Sequence, residues 1–519
     1  MPPRADAIPP LETDPGALYV LGLLSLRAGR LEQSMELFSL ALRLQPQHEG
    51  AHRNLVRALL AAGRPAETLA QADRALALLP DEAELHFARG TALNALRSPE
   101  PARIALSRAV ALDPAHAPAW LNLGNACADL DDFALAERHC RTALALDPGL
   151  VEAQASLGYL LTVRGWLPEA IAACEAAIAL RPDCVQAHWN LAVAALLAGD
   201  LPRGFTEYEW RKRHDRYRRD FISLPGPTWD GSDPSGRTIL VHAEQGLGDT
   251  IQFARFLSLI AVQGGRPVLA CDESLVPLFH EAMPDITVVS RGPDLPPYDA
   301  WIDQMSLPRA FGTRLETIPA ADGYLVAHPG RRAAWASVLP PGPRIGLAWA
   351  GNRLHSNDAR RSIPARALAP LLALPGIGFV NLQVGAAAGE QPNLPDLTPL
   401  LTDYAETAAL IANLDLVLCC DTSVAHLAGA LGRPAWVMLP HAPDWRWLRG
   451  RDDTPWYSSL RLFRQPVAGD WDSVVVAVVA ALAGSGLAAG GNDRGDRHGQ
   501  AVGVAPVGGV PLNVGNDGG

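Results

Sequence analysis

Residues 149–182 read GLVEAQASLGYLLTVRGWLPEAIAACEAAIALRP, and three of their positions set the pattern for the first part of the chain. Pro182 ends the stretch, Ala177 stands five residues before it, and Gly158 twenty-four before it. The proline recurs as Pro46, Pro80, Pro114 and Pro148, each 34 residues from the next. The alanine recurs as Ala41, Ala75, Ala109 and Ala143, and the glycine as Gly22, Gly90 and Gly124, with Val56 in the second copy. Proline ends a helix, because it lacks the N–H and clashes with the preceding turn. Small residues let two helices cross closely. The unit therefore reads as a pair of antiparallel helices. A sixth pair begins at Val185, with Ala192 at the small position and no closing proline. Bulkier Val56 implies local loosening in the second unit.

The period and small-residue positions resemble the tetratricopeptide repeat over residues 17 to about 200. The resemblance implies an all-α superhelix whose groove takes a protein or peptide.

The chain has 519 residues, too many for one ordinary domain, and 48% are apolar, enough for sizeable cores. A net charge of -11 argues against a nucleic-acid partner. The basic run RKRHDRYRRDF, residues 211–221, contains interleaved aspartates and reads as an interdomain seam or a solvated face. Lys212 is the only lysine, so no Walker A lysine or pyridoxal Schiff base exists in the chain beyond it. Seven scattered cysteines without CxxC spacing read as buried thiols of a reduced, cytoplasmic protein. The N-terminus lacks the apolar core of a signal peptide. The longest apolar run, Val474 to Ala483, is too short to span a bilayer.

Six segments follow from these shifts in composition: an N-terminal stretch 1–14 without structure, repeats over 15–222, a Pro/Gly/Ser linker over 223–236, two α/β halves over 237–340 and 341–483, and a glycine-rich disordered tail 484–519. In the two halves short apolar runs alternate with helical stretches: Thr238–His242, Pro267–Cys271, Ile286–Ser290, Arg344–Trp349, Gly378–Gln383, Leu416–Cys420 and Ala435–Leu439. Such alternation implies parallel sheets with ligands at the carboxyl ends of the strands. The helix from Trp471 is expected to cross back onto the first half.

Four stretches follow strands and carry polar residues. In HAEQGLGDTIQF, residues 242–253, Gly246 and Gly248 permit a tight turn or a close backbone approach, and Asp249 reads as an N-cap with Gln252 reaching back. In LDLVLCCDTSVAHLAGALGRPAWVMLP, residues 414–440, Asp421, Thr422, Ser423 and Val424 open a helix whose free N–H groups and dipole suit an anion, with His426 one turn in. In WAGNRLHSNDARRSIP, residues 349–364, Arg360 and Arg361 are cations suited to a pyrophosphate. PHAPDWRWLRGRDDTPWYSSLRLFRQ, residues 440–465, concentrates Trp445, Trp447, Trp456 and Tyr457, which suit either sugar stacking or domain packing. Gln383 and Glu406-Thr407 are weaker candidates for base and ribose contacts.

Together these four motifs resemble bacterial tetratricopeptide-repeat proteins carrying a heptosyltransferase-like glycosyltransferase domain; the order of repeats and domain is also similar to that of O-linked N-acetylglucosamine transferases. The resemblance implies a GT-B fold of two Rossmann-like halves and a metal-independent, inverting transfer of a hexosyl or heptosyl group from a nucleotide sugar, with no cofactor. It makes Asp249 the general base, acting on a hydroxyl acceptor bound by the first half. It places the donor against Gly246, Gly248, Asn352, Arg360, Arg361, Gln383, Asp421, Thr422, Ser423, Val424 and His426. The family's phosphate-binding lysine is absent, so Arg353, Arg360 or Arg361 must substitute. The alternative is a repeat scaffold whose GT-B domain is inactive.

Overall fold

The computed structural model describes residues 14–214, 224–320, 322–353, 357–385 and 394–487. The expected disorder over 1–14 and 484–519 lies outside the described residues except at Asp14, which caps the first helix, and at 484–487, where the last helix closes at Gly484; most of the basic run, after 214, also lies outside them. Twelve helices, α1 (Pro15–Arg27) through α12 (Leu201–Tyr208), form six antiparallel pairs, the last of them the proline-less pair at Val185–Ala198 and Leu201–Tyr208.

Each repeat glycine meets the side chain or backbone of its partner helix sixteen residues on. A Cβ on Gly22 would strike the Phe38 ring, on Gly90 Leu106, and on Gly158 the Cys174 thiol. Val56 does not loosen the second repeat. Its counterpart is Ala72, and the two share one buried cluster with Ala75, Leu85 and Ala88; the small residue has moved to the facing helix. Six residues after four of the five prolines, a ring nitrogen approaches that proline's carbonyl: His52 to Pro46 at 2.8 Å, His86 to Pro80 at 2.8 Å, Trp120 to Pro114 at 2.9 Å and His188 to Pro182 at 2.9 Å. These contacts satisfy carbonyls that the helix end leaves open.

Two all-parallel sheets follow. The first has strand order β3-β2-β1-β4, built from β1 (Thr238–His242), β2 (Arg266–Cys271), β3 (Thr287–Ser290) and β4 (Ala300–Asp303). The second runs β6-β5-β7-β8-β9, from β5 (Arg344–Ala348), β6 (Gly378–Asn381), β7 (Leu416–Cys420), β8 (Ala435–Leu439) and β9 (Leu460–Arg464). The seven expected strands are present, and β4 and β9 join them. The strand order reverses between β1 and β4 and between β5 and β7, which opens a crevice at the carboxyl ends of those strands. The linker is docked along β4: Trp229 is buried, and its N–H donates to the Trp301 carbonyl at 2.7 Å.

The last helix, Trp471–Gly484, does not cross to the first half. Trp471, Val474, Val475, Val478 and Leu482 pack against β5 and β7 side chains of their own half. One tie between the halves is the helix Pro329–Val338, whose Arg331 and Trp335 both bond Glu406. Glu406 is thereby committed to structure. No helix among the described residues is long and apolar enough to cross a membrane.

Repeats and sheets share a core. One continuous cluster joins Leu196, Phe205 and Tyr208 of the sixth pair to Ile251, Phe253 and Phe256 of the first half and to Trp445, Trp447, Trp456 and Tyr457 of the second. The basic run contributes the seam expected of it. Fully buried Arg211 donates to Glu244 at 2.7 and 3.4 Å, to Glu209 at 2.8 Å and to Ser306 at 2.8 Å, while Lys212 pairs with Asp303 at 3.0 Å.

Arg211→Met is expected to destabilise the chain by about 3–5 kcal/mol in urea unfolding, because Glu244 stays buried without its partner. Adding Glu244→Leu should recover most of that loss; equal losses in the single and double variants would show that the pair is not coupled.

Candidate functional site

The crevices of the two sheets face each other, and the turn after β1 is seated on the helix after β7. Helix α13 (Leu247–Phe253) starts at Gly246, which is its N-cap, so Asp249 is not the cap. Asp249 occupies the third helical position and reaches back, its Oδ2 accepting from the Gly246 N–H at 2.8 Å. Gln252 does not reach back; its Oε1 accepts from Arg446 Nε at 2.7 Å. The sequence pattern is one register out, because glycine also serves as a cap and the acidic residue then takes the carboxylate position of the box.

Gly248 is one of the points where the halves touch. A Cβ there would lie 2.8 Å from His426 Cδ2 and 3.3 Å from the Ser423 Cα. His426 is buried, with its ring stacked near Trp447 at 5.4 Å and its Nδ1 3.0 Å from the Tyr457 hydroxyl. Burial, reinforced by Arg446, Arg255 and Arg361, depresses its pKa well below the usual histidine range. It is therefore a neutral imidazole at the interface of the halves.

The helix Ser423–Ala430 opens as expected, with Thr422 at its N-cap. Ser423 Oγ lies 2.7 Å from the Tyr404 hydroxyl and Val424 is buried. Thr422 Oγ1 is shielded and has no hydrogen-bond partner among the described residues. Burial, with the nearby Asp444 charge, raises the pKa of Asp421 at the end of β7.

The structure separates the two adjacent arginines. Arg361 stays in the crevice, bonded to Asp358 at 3.4 Å, and its charge acts on Asp249, Asp421 and His426. Arg360 turns away to the repeats, pairing with Asp131 at 2.6 Å and lying 5.4 Å over the Phe133 ring. The expectation that it faces a pyrophosphate is corrected: it is a docking residue. Gln383 is likewise spent on backbone, its Oε1 accepting from the N–H groups of Trp349 at 3.1 Å and Ala350 at 2.8 Å. Asn352 lies exposed in the loop after β5. Of the four aromatics, none faces the crevice as a platform: all are buried, and Trp445 stands edge-on to Phe205 at 5.5 Å.

Arg446 escaped the sequence reading. It lies within PDWRW, residues 443–447, where the two tryptophans dominate the pattern. Its guanidinium bonds Asp249 Oδ1, Gln252 and, at 2.7 Å, Asp444, and lies 4.2 Å over the Trp445 ring. Burial raises the Asp249 pKa, and Arg446 opposes that shift. The two loops that meet here are strained. Gln245 has φ 63° and Leu448 has φ 52° with ψ -167°, regions that disfavour side chains. Tyr208 of α12 holds Gln245 through a 3.2 Å bond, and Arg464 holds the Leu448 and Trp447 carbonyls at 3.1 and 2.7 Å.

Gly248→Ala should destabilise the chain by about 1–3 kcal/mol in chemical denaturation, with His426→Ala restoring part of the loss. A neutral Gly248→Ala would mean that the halves separate without cost.

Residues 15–48, 53–117, 117–150 and 156–209 match tetratricopeptide-repeat models, and residues 395–437 match glycosyltransferase family 9 (heptosyltransferase). Protein FlbA of Caulobacter vibrioides is 33% identical over 292 residues, 50% of this chain and 49% of FlbA. The chain thus spans about half the length of the curated relative it matches. Among solved structures, the repeat protein TTC0263 of Thermus thermophilus is 26% identical, with 35% of this chain and 99% of that one covered and a TM-score of 0.30. Pseudomonas aeruginosa pilF is 20% identical, with 39% and 92% covered and a TM-score of 0.34. The chain thus carries tetratricopeptide repeats followed by two parallel sheets, and the segment 395–437, which includes β7, carries a glycosyltransferase family 9 (heptosyltransferase) match.

Proposed function

We propose that the chain is a glycosyltransferase that moves a sugar from a nucleotide-sugar donor to a hydroxyl acceptor. The family 9 match supports glycosyl transfer in general. One observation carries the rest of the reading: the contact of Gly248 with His426 and Ser423 brings Asp249 of the first half and the helix start of the second into one crevice.

In this reading the acceptor hydroxyl gives its proton to Asp249 and its oxygen bonds the anomeric carbon. The bond from that carbon to the diphosphate breaks, and the electron pair leaves with the diphosphate. Attack on the face opposite the leaving group inverts the centre. The growing charge meets the N–H groups at Thr422–Val424, the unpaired Thr422 hydroxyl and the Arg361 guanidinium, which takes the place of the family's lysine. These groups act without a metal or cofactor. Gly246 keeps a side chain out of the approach to the sugar, Gly248 lets the first half close on the helix start, and Asn352 lies at the rim. The transferred group is of hexosyl or heptosyl type, and the acceptor is a protein or surface-glycan component recruited by the repeats, whose family binds proteins. The reaction is placed in the cytoplasm.

A second reading, a repeat scaffold with an inactive domain, draws on the same contact. The turn carrying Gly248 sits directly on the helix start that would take the diphosphate, so donor entry requires the halves to part.

The test is binding and hydrolysis of UDP-, GDP-, ADP- and dTDP-sugars by the wild type, Asp249→Asn and Arg361→Ala. The expected outcome is one donor bound by the first two, turnover lost about 100-fold or more in Asp249→Asn, and donor binding weakened about tenfold in Arg361→Ala. No binding of any donor by a folded wild type would leave the scaffold.

A further inference from the structure

Asp249 and Arg446 lie on opposite halves, and the structure spends an unusual set of contacts on joining them. Asp249 projects from α13. Arg446 belongs to the loop between β8 and β9, on the short turn Trp445–Trp447. Its fork is filled on every side: Nε to Gln252 Oε1, one terminal nitrogen to Asp249 Oδ1, the other to Asp444 Oδ1. The Trp445 ring covers one of its faces. Only 8% of its side chain is exposed, against 18% for Asp249. Arg446 therefore cannot swing freely, and the carboxylate it holds still opens to the crevice.

Each oxygen of Asp249 has one donor, Arg446 on Oδ1 and the Gly246 N–H on Oδ2. A carboxylate has about four acceptor positions, so these two donors leave room for a further proton donor. Two fixed donors leave the carboxylate a single orientation relative to the crevice. A surface ion pair would leave it many.

We infer that Arg446 is the positioning residue for Asp249, reaching across the crevice to hold the carboxylate in one orientation by the same planar fork that grips Gln252 and Asp444. The inference rests on the transferase reading, in which Asp249 is the base, and adds to it that the base is completed by the opposite half.

Charge supplies a readout that simple packing would not move. Burial pushes the Asp249 carboxyl up, and Arg446 is the strongest opposing influence. The other charges about it are Asp444 on the Arg446 loop and Arg361 on the turn after β5. Neutral His426, Asp421 at the end of β7 and Tyr208 of α12 complete the surroundings and act on, or feel, Arg446 itself. Removing the guanidinium leaves burial less opposed, so the midpoint for protonating Asp249 rises.

The experiment follows the Asp249 carboxyl carbon by NMR in the full chain labelled with [13Cγ]aspartate, the resonance identified by its loss in Asp249→Asn. It needs no donor, so it is independent of whether the donor screen succeeds. Arg446→Gln is expected to raise the midpoint by about one pH unit or more. Arg446→Lys keeps a cation without the fork and should fall between Gln and the wild type. An unmoved midpoint in folded Arg446→Gln overturns the inference. So does a wild-type midpoint in Arg446→Lys, which decides the matter should the Gln variant not fold. A raised midpoint together with a failed donor screen would leave the positioning role in place and remove the transferase.

Discussion

Trp445 and Arg446 sit where three parts of the chain meet, and the geometry of the crevice depends on that junction. The Trp445 ring stands edge-on to Phe205 of the repeats and to Trp456 of its own half, at 5.5 and 6.0 Å, and 6.5 Å from Phe253 of the first half. These rings exclude water, and in their low-dielectric shelter the bonds from Arg446 to Asp249 and Gln252 are stronger than they would be in solvent. Apolar packing supplies the attachment. The arginine fork supplies the direction.

The same logic makes the repeat array more than an appended arm. It touches both halves at the loops that form the crevice. Tyr208 holds Gln245 beside the β1 turn, Arg211 and Lys212 neutralise Glu244 and Asp303 at the ends of β1 and β4, and Arg360 docks on Asp131. Arg449, three residues after Arg446, caps the Thr162 and Val163 carbonyls at the end of a repeat helix, at 3.3 and 3.2 Å. Strained backbone of the kind found at Gln245 and Leu448 costs on the order of 1–3 kcal/mol per residue and persists only where neighbours over-determine it. Here the neighbours of Gln245 and of the Leu448 loop include the repeats, which ties a solenoid built for binding to the shape of the crevice.

Much of the architecture was legible because it is periodic. A 34-residue spacing of proline, alanine and glycine reports helix pairs directly, and apolar runs between turn residues report buried parallel strands. The two strands missed, β4 and β9, are short or bordered by arginines, so their apolar signal is weak. Val56 was misjudged because the compensating Ala72 stands sixteen residues away on another helix, a relation visible only once the helices are paired. At the site, the sequence showed which polar residues follow the strands, and not what each of them bonds. Asp249, Thr422 and Arg361 lie in the crevice, whereas Arg360 and Gln383 serve structure, because adjacent residues of a short turn point to different sides and a carboxamide near open backbone N–H groups bonds them.

The sequence by itself determined the helix pairs, the two α/β halves and the turns where polar residues emerge from strand ends, since spacing and hydrophobic pattern are local properties of a chain. Tertiary structure alone decided that Asp249 pairs with Arg446, nearly two hundred positions away, that Gly248 rests on His426, and that Arg360 belongs to the repeats. Those relations come from how three cores close on one another, and the buried Trp445 junction that sets them joins residues that no local pattern connects.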